Sequence, residues 1–293
     1  MKTVSVIARK GGVGKTTTAA NVAAVMAGWR VPGTSSPAKV LVLDLDPQCH
    51  ALRLLTGNTT AAAVAESAGG AGALIAAAVA GRSSVVDMAN MLAALAVNPA
   101  GLGAGVSIDL DMLGGGLGQV AGVNVSAAAW LAAAALLRQA VVFAGYDWLV
   151  VDTPASGILQ DFAALLAAGD GLILSPVSAS PLGIAGAAQT AALGPAIGQA
   201  YGLGAAHPVN FSAWRFFGSA VDRRLSISRQ SLDALSDYFG VRWINTVIPM
   251  RAAVNRAAAA GLPVVVCEDA GGDVAAAFGA LCQNVLIDVL AGW

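Results

Sequence analysis

Residues 10–17, with the sequence KGGVGKTT, combine the residue types that bind a phosphate group. A phosphate needs several N–H donors at once, and Gly11, Gly12 and Gly14 let the backbone curl around it because they tolerate positive φ. The loop lies between an apolar strand at residues 3–8 and a helix, whose N-terminus adds unpaired N–H groups and the positive end of its dipole. This order of elements predicts a nucleotide-phosphate site rather than an ordinary turn.

Two side chains of this loop can act directly on a nucleotide. Lys15 supplies a full positive charge for the β- and γ-phosphates, and the hydroxyl of Thr16 is placed to bind Mg²⁺. Val13 and Thr17 complete the set of loop residues expected to contact the nucleotide. These residues therefore predict a nucleotide-phosphate site with Mg²⁺ as a cofactor.

Three aspartates stand at the ends of predicted strands. Asp44 and Asp46 follow the predicted strand at residues 40–43. Asp152 directly follows the predicted strand at residues 148–151. An aspartate at a strand end often only stabilises a turn or caps a helix. However, the carboxyl ends of parallel strands form the ligand side of an α/β sheet. We therefore interpret these carboxylates as site residues.

The elements that must position these residues alternate between strands and helices. The alternation predicts a P-loop NTPase-like α/β fold, a mostly parallel twisted sheet with helices on both faces, in a single domain of residues 1–293. The further predicted elements are strands at 172–174, 209–211 and 243–248 and helices at 16–29, 219–239 and 273–290. Residues 57–125 are rich in Ala and Gly, with a helix near 86–96 and a strand at 106–112, and we expect them to cover one flank of the sheet.

The composition allows a large core, since 57% of the residues are apolar and only 11% are charged. Charged residues or prolines interrupt the long apolar windows, so these do not predict a transmembrane span.

The three cysteines are far apart and form no CxxC pair, which indicates neither a disulfide framework nor a metal site. With no signal peptide visible, a reducing cytoplasm is favoured. The net charge of −1 excludes a globally basic nucleic-acid binder, but not a local basic patch.

The phosphate loop departs from the strict pattern G-x-x-x-x-G-K-[ST], because Arg9 occupies the first glycine position and Lys10 adds a second lysine. In this form it resembles the deviant phosphate loop of the ParA/MinD family of ATPases. Residues 43–48, LDLDPQ, and residues 152–154, DTP, match segments of the same family in the same order. Residues 247–263 resemble its C-terminal part, in which an Ile-Pro pair lies near the adenine.

The resemblance implies a mechanism in which ATP binding closes a face-to-face homodimer. By its position, Lys10 would reach across to the nucleotide of the other subunit. Lys15 would neutralise phosphate charge, and Asp46 would position the attacking water. These three residues are the catalytic set that the resemblance predicts, and catalysis would consist mainly of alignment and charge neutralisation at the γ-phosphate.

The same resemblance implies the places of the metal and the base. Thr16 would ligate Mg²⁺ directly, while Asp44 and Asp152 would hold its water ligands. Pro249 would contact the adenine through its backbone. These residues, with the loop itself, make up the predicted cofactor site.

Residues 211–256 contain seven arginines and three aspartates, a net charge of +4. Arginine suits phosphate contact because its guanidinium offers a forked set of donors. The arginines could instead lie on solvated helix faces or form internal ion pairs. In ParA-type proteins this region binds DNA without sequence specificity, and the resemblance assigns that role to Arg223, Arg224, Arg251 and Arg256.

The resemblance therefore implies a ParA-like positioning ATPase, cytoplasmic and associated with the nucleoid. The ATP-bound dimer would bind DNA non-specifically, and a partner protein would stimulate hydrolysis and release. The cargo would be a plasmid, a chromosome origin or a protein body such as a carboxysome. Because the first strand starts at residue 3, the chain resembles the short ParA type, which has no N-terminal operator-binding domain.

Three alternatives stay open. A MinD-like membrane ATPase needs a C-terminal amphipathic helix with a basic face, but residues 281–293 contain no Lys or Arg, so a packed terminal helix is favoured and no membrane partner is expected. A metabolic P-loop enzyme usually lacks a lysine of the Lys10 type and has a dedicated substrate pocket. An ATP-driven electron-transfer protein needs paired cysteines to hold a cluster, and this sequence offers no obvious set.

Overall fold

The computed structural model describes most of the chain. The described residues are 1–29, 36–56, 70–96, 110–114, 117, 120, 125–169, 171–203, 213–267 and 272–290, with side chains described to residue 285 in the last range. The predicted strand at 209–211 lies outside them, as do the residues of 57–125 that fall between these ranges. All statements below refer to the described residues.

Seven parallel strands form one sheet in the order β3-β2-β4-β1-β5-β6-β7. They are β1 (Lys2–Val6), β2 (Val40–Asp44), β3 (Leu110–Leu113), β4 (Trp148–Asp152), β5 (Leu172–Val177), β6 (Trp214–Val221) and β7 (Trp243–Pro249). The central strands are almost continuously apolar because both of their faces are covered, as in other all-parallel sheets. The predicted α/β fold with a parallel sheet is confirmed.

Helices cover both faces of this sheet. They are α1 (Lys15–Ala27), α2 (His50–Thr56), α3 (Gly70–Ala80), α4 (Val85–Leu95), α5 (Ala127–Phe143), α6 (Ile158–Leu166), α7 (Pro181–Ala191), α8 (Leu193–Ala200), α9 (Ser226–Phe239), α10 (Ala252–Ala259) and α11 (Gly272–Leu290). Helices α1, α2, α10 and α11 contribute to the core on one face, and α3 to α9 contribute to the core on the other. Successive side chains along β2 point to opposite faces of the sheet. Leu41 and Leu43 therefore pack in the core on one face, and Val40 and Val42 pack in the core on the other.

The Ala/Gly-rich middle of the chain is helical where it is described. Helix α4 matches the predicted helix near 86–96, and a capping box starts it, in which Ser84 and Asp87 satisfy each other's backbone N–H groups. Both α3 and α4 pack against α5 on one face of the sheet. Strand β3 matches the last residues of the predicted strand at 106–112, of which 106–109 lie outside the described residues.

The prediction of a helix over residues 219–239 was wrong at its start. Residues up to Val221 continue strand β6, and the helix α9 begins only at Ser226. Strand β6 pairs with β5 and β7 on its two sides, so tertiary pairing overrides the weak strand signal of Gly218 and Ser219. This correction places the end of β6 beside the phosphate loop.

The terminal helix α11 packs into the core, as the sequence analysis favoured. Its buried side chains recur on one face and are Val274, Phe278, Leu281, Cys282 and Val285. Among the described helices, none is both long and apolar enough to span a membrane.

Candidate nucleotide-binding site

The phosphate loop joins the central strand β1 to helix α1. Gly12 and Gly14 have φ values of +71° and +91°, a left-handed conformation that glycine adopts without strain. Gly14 has a second reason to lack a side chain, because a Cβ there would lie 2.9 Å from the Oγ of Ser219 on β6. Val13 is buried beneath the loop, whereas Gly11 is exposed. The loop therefore has the curled backbone that the sequence predicts.

The N-terminus of α1 is open toward the loop. No side chain caps it, and its first turn contains no acidic residue. The unpaired N–H groups and the positive end of the helix dipole can therefore be satisfied by an anion. Thr16 and Thr17 lie half-buried in this first turn, as expected of residues that contact a bound phosphate.

The two lysines of the loop point to different places. Lys15 is 8% exposed, and its Nζ lies 3.5 Å from the backbone oxygen of Lys10. Burial lowers the pKa of Lys15, although the nearby Asp152 and Asp46 carboxylates act in the opposite direction. Lys10 instead extends to the end of β5, where its Nζ donates a hydrogen bond to Ser178 Oγ at 3.1 Å. Only Lys15 is therefore held against the acidic side of the site.

Asp44 and Asp152 lie side by side at the carboxyl ends of β2 and β4, where they are register partners. Both are fully buried. Thr16 Oγ1 donates a hydrogen bond to Asp152 Oδ2 at 2.8 Å, while Asp152 Oδ1 has no hydrogen-bond partner among the described residues. The sequence predicted that these three residues form one site, and the fold brings them together.

The electrostatics of this acid pair favour a bound cation. Burial, followed by repulsion from Asp44, raises the pKa of Asp152 well above its usual range. Burial likewise raises the pKa of Asp44 to about 7, despite the hydrogen bonds that its carboxylate accepts from the backbone. A cation held near Asp44 and Asp152 would relieve this repulsion. Within the described ranges no three His, Cys, Asp or Glu side chains form a metal-holding group. The side chains that could hold Mg²⁺ here are Thr16, Asp44 and Asp152, which offer the oxygen donors that this ion prefers.

The aspartates after β2 also have local structural roles. Asp44 accepts hydrogen bonds from the backbone N–H groups of Asp46 at 3.0 Å and of Leu52, in the first turn of α2, at 3.0 Å. Asp46 accepts one from the N–H of Gln48 at 2.9 Å and remains half-buried. These aspartates therefore have the turn and helix-start roles considered for them, and the hydrogen bonds fix the direction of both carboxylates after β2.

Three site residues were not found from the sequence. Gln160 on α6 donates hydrogen bonds to the backbone oxygens of Ala8 at 3.3 Å and Pro154 at 3.2 Å, which ties the strand before the loop to the segment after β4. Ser178 contacts Lys10, and Ser219 packs against the loop at Gly14. A polar residue directly after an apolar strand was the available signal for Ser178, but it does not reveal which strands are neighbours. Ser219 lies inside β6 and gave no such signal.

Pro249 ends β7 at the same edge of the sheet as the phosphate loop. It is half-buried and pairs in register with Val221 at the end of β6. Two strands, β5 and β6, lie between it and β1. Contact with the adenine therefore stays a prediction, which requires the nucleotide to extend from the loop across the ends of these strands.

The four arginines that the resemblance assigns to DNA binding divide into two groups. Arg224 forms a forked ion pair with Asp222, at 2.9 and 2.7 Å, and its hydrogen bonds lower the pKa of Asp222 to about 2. Arg251 forms an ion pair with Asp273 at 2.5 Å. Arg223 and Arg256 are exposed and have no ion-pair partner among the described residues. Two of the four arginines thus form internal ion pairs, as the alternative interpretation expected. The positive charge of the other two is not balanced by a nearby carboxylate among the described residues.

Comparisons with known proteins show which fold this chain shares. The family model of an AAA domain matches residues 1–93, which contain the phosphate loop and the first two aspartates. No curated protein matches the sequence. The fold is similar to the MinC:MinD cell division complex of Aquifex aeolicus, with a TM-score of 0.64, 16% identity and coverage of 98% of this chain and 96% of that one. The chain has the fold of the MinD and ParA ATPases.

Two further solved structures share the MinD/ParA fold. A ParA family ATPase from Chlorobium tepidum matches with a TM-score of 0.63 and 17% identity, over 96% of this chain and 98% of that one. A plasmid partition protein from Borrelia burgdorferi bound to AMPPNP matches with a TM-score of 0.60 and 16% identity. This match covers 100% of this chain and 99% of that one. The resemblance inferred from the phosphate loop is therefore confirmed, and it extends over the whole MinD/ParA fold.

Proposed function

We propose that this protein is a ParA-like ATPase that binds ATP and Mg²⁺, dimerises around the nucleotide, and hydrolyses it. One observation carries the proposal most directly: a phosphate loop with two lysines lies beside a buried pair of carboxylates, Asp44 and Asp152. The MinD/ParA fold and the AMPPNP bound to the similar Borrelia protein support it.

In this proposal each part of the site has one task. The backbone N–H groups of residues 11–17 and the Lys15 ammonium bind the phosphates, while the Thr16 hydroxyl, Asp44 and Asp152 hold Mg²⁺ and its waters. When bound, Mg²⁺ supplies positive charge that offsets the charge developing on the transferred phosphoryl group. Asp46, held next to this centre by its backbone contact with Asp44, orients the attacking water.

The surface around the site supports a homodimer. Leu182, Leu225 and Met250 follow β5, β6 and β7, and their side chains are 74%, 52% and 58% exposed. All three therefore lie at the edge of the sheet that carries the phosphate loop. Large apolar side chains exposed along one edge of the sheet favour an interface there. We propose that a second copy of the chain covers them, so that each Lys10 meets the other subunit's nucleotide.

Asp46→Ala is expected to separate ATP binding from hydrolysis. The variant should bind ATP within about threefold of the wild-type affinity and still dimerise, while turnover falls by about 100-fold or more, as on loss of a general base. Phosphate release under saturating ATP measures this. Asp46→Asn is the matched control, because it keeps the turn but not the charge, and it should also be slow. Normal turnover in either variant would remove Asp46 from its proposed role.

We propose that the dimer binds DNA non-specifically through the exposed arginines. Arg223 and Arg256 carry uncompensated charge, and dimerisation doubles their number. Arg224 and Arg251 would first have to leave their ion pairs with Asp222 and Asp273, so their contribution is smaller. Contacts of this kind release counterions, and binding therefore weakens steeply as salt rises.

Arg223→Glu and Arg256→Glu, alone and combined, test this surface. Each single variant should weaken ATP-dependent plasmid binding several-fold at low salt, and the double variant should abolish it. Arg82→Glu, an exposed change of the same charge outside residues 211–256, should bind almost normally. Gel-shift titrations at two salt concentrations measure the effect. Retention of DNA by the double variant would show that the surface lies elsewhere.

The cargo is proposed at the level of its class. A nucleoid-bound ATPase of this kind would position a plasmid, a chromosome origin or a protein body such as a carboxysome through a partner that stimulates hydrolysis. Multi-turnover hydrolysis that rises with DNA and partner and needs no small-molecule substrate would decide against a metabolic enzyme. The MinD-like alternative has less support, because the apolar face of α11 described to Val285 is packed in the core.

A further inference from the structure

The Lys10 side chain is held by its own chain along its whole length. Its Nζ donates a hydrogen bond to Ser178 Oγ at 3.1 Å, just beyond the end of β5. Its stem lies across Gly186 of α7, where an added Cβ would come within 3.2 Å of the Lys10 Cβ and 3.5 Å of its Cδ. The space beside this contact is only about 10 Å³, at the lower limit for one water molecule.

The turn that carries Ser178 is built to bring its hydroxyl to this place. The backbone folds so tightly onto Gly183 that any Cβ there would overlap the carbonyl oxygen of Ser178. Ser180 fixes the turn by capping α7, since its Oγ accepts a hydrogen bond from the N–H of Gly183 at 3.1 Å. Residues 178 and 186 therefore present a preformed surface to the lysine.

This surface holds Lys10 without neutralising it. Ser178 is uncharged, and no described carboxylate forms an ion pair with the Lys10 ammonium. Ser178 also lies two residues before the N-cap of α7, where the positive end of the helix dipole disfavours a cation. An anion that becomes accessible to the ammonium will therefore compete successfully with the serine hydroxyl.

We propose that Ser178 and Gly186 form a resting seat for Lys10, from which the lysine is withdrawn when it engages the phosphates of a second subunit. The inference rests on the proposed function, in which Lys10 acts across the dimer. Ser178 is then a positioning residue, which keeps the lysine ordered in the monomer yet releasable. The seat must be uncharged, because an acidic side chain at position 178 would form an ion pair with Lys10 and retain the lysine in the monomer.

Ser178→Asp, compared with the uncharged Ser178→Asn of the same size, tests the seat. Dimer dissociation constants at saturating ATP, from sedimentation equilibrium, should rise at least tenfold in Ser178→Asp and much less in Ser178→Asn. ATP affinity measured with a fluorescent analogue should change less than about threefold in both. The defect of Ser178→Asp should shrink at high salt, which screens the new ion pair. Equal dimerisation of Ser178→Asp and wild type, or equal defects in the two variants, would overturn the seat.

Gly186→Ala approaches the same contact from the other side. The added methyl crowds the Lys10 stem, while alanine favours the helix, so the variant should fold at least as well as the wild type. Crowding weakens the seat, and the dimer should therefore form at several-fold lower protein concentration. Weaker dimerisation of this variant would contradict the proposal.

The reactivity of the Lys10 amine in the ATP-free monomer keeps the two proposals distinguishable. Its acylation rate, followed by mass spectrometry, should fall in Ser178→Asp and rise in Gly186→Ala relative to the wild type. This readout does not depend on dimerisation. If the rates change as expected but Lys10→Ala still dimerises with ATP, the seat stands and the trans role of Lys10 fails. Unchanged rates in both variants would overturn the seat itself.

Discussion

Lys15→Ala is expected to abolish ATP binding while leaving the fold intact. The buried ammonium is the charge in the phosphate loop nearest the acid pair, and its loss removes the main counter-charge for the phosphates. Wild-type protein should gain about 2.7 kcal/mol in unfolding free energy at an ATP concentration 100 times the Kd. The variant should gain none, as measured by thermal unfolding with and without ATP.

The nucleotide-free protein supplies the control for Lys15→Ala. Burial disfavours the charged amine, as the lowered pKa of Lys15 shows, and alanine suits the first turn of α1. The ATP-free variant should therefore unfold at the same or a higher temperature than the wild type. A variant that binds ATP with near-normal affinity would refute the assignment of residues 10–17 as the phosphate loop.

Lys10→Ala is expected to have a large effect of a different kind. ATP binding by the monomer should persist, since Lys10 points toward Ser178 rather than into the acidic side of the site. ATP-dependent dimerisation should be lost, and hydrolysis should fall by a factor on the order of 10³, as for other cationic groups supplied across an interface. Light scattering with ATP and a phosphate-release assay measure the two quantities.

The fold should tolerate this change. Lys10 is half-buried, and its side chain makes one hydrogen bond, to a neutral hydroxyl. Lys10→Gln, which keeps the stem and a hydrogen-bond donor but loses the charge, should match Lys10→Ala in hydrolysis. An ATP-dependent dimer formed by either variant would count against the trans role, whereas loss of nucleotide binding would place Lys10 in its own subunit's site.

The phosphate loop was predictable from the sequence because its chemistry is local. Consecutive residues from Lys10 to Thr17 contain the glycines, both lysines and the hydroxyl, and the apolar strand before them implies their place on the sheet edge. The same holds for the helix α4, which the sequence predicted near 86–96 from residues a few positions apart. Local patterns of this kind need no knowledge of which elements become neighbours.

The acid pair was predictable only in part. The sequence placed Asp44 and Asp152 at strand ends, but their contact depends on β2 and β4 being adjacent and in register. Ion pairs depend on tertiary structure in the same way, since Arg251 meets Asp273 from a different helix. Strand β6 was misassigned because its partners, and not its own residues, make Gly218 and Ser219 part of a strand.

By itself, the sequence determined the alternating α/β architecture, the phosphate loop, and the lysine that distinguishes this loop from others. These follow from backbone preference and hydrophobic periodicity, which act over short distances along the chain. Only the tertiary structure decided that the Thr16 hydroxyl donates directly to Asp152, that Arg251 pairs with Asp273, and that Lys10 rests on Ser178. Each of these contacts joins segments that are far apart in the sequence, and the packing of strands and helices around the sheet brings those segments together.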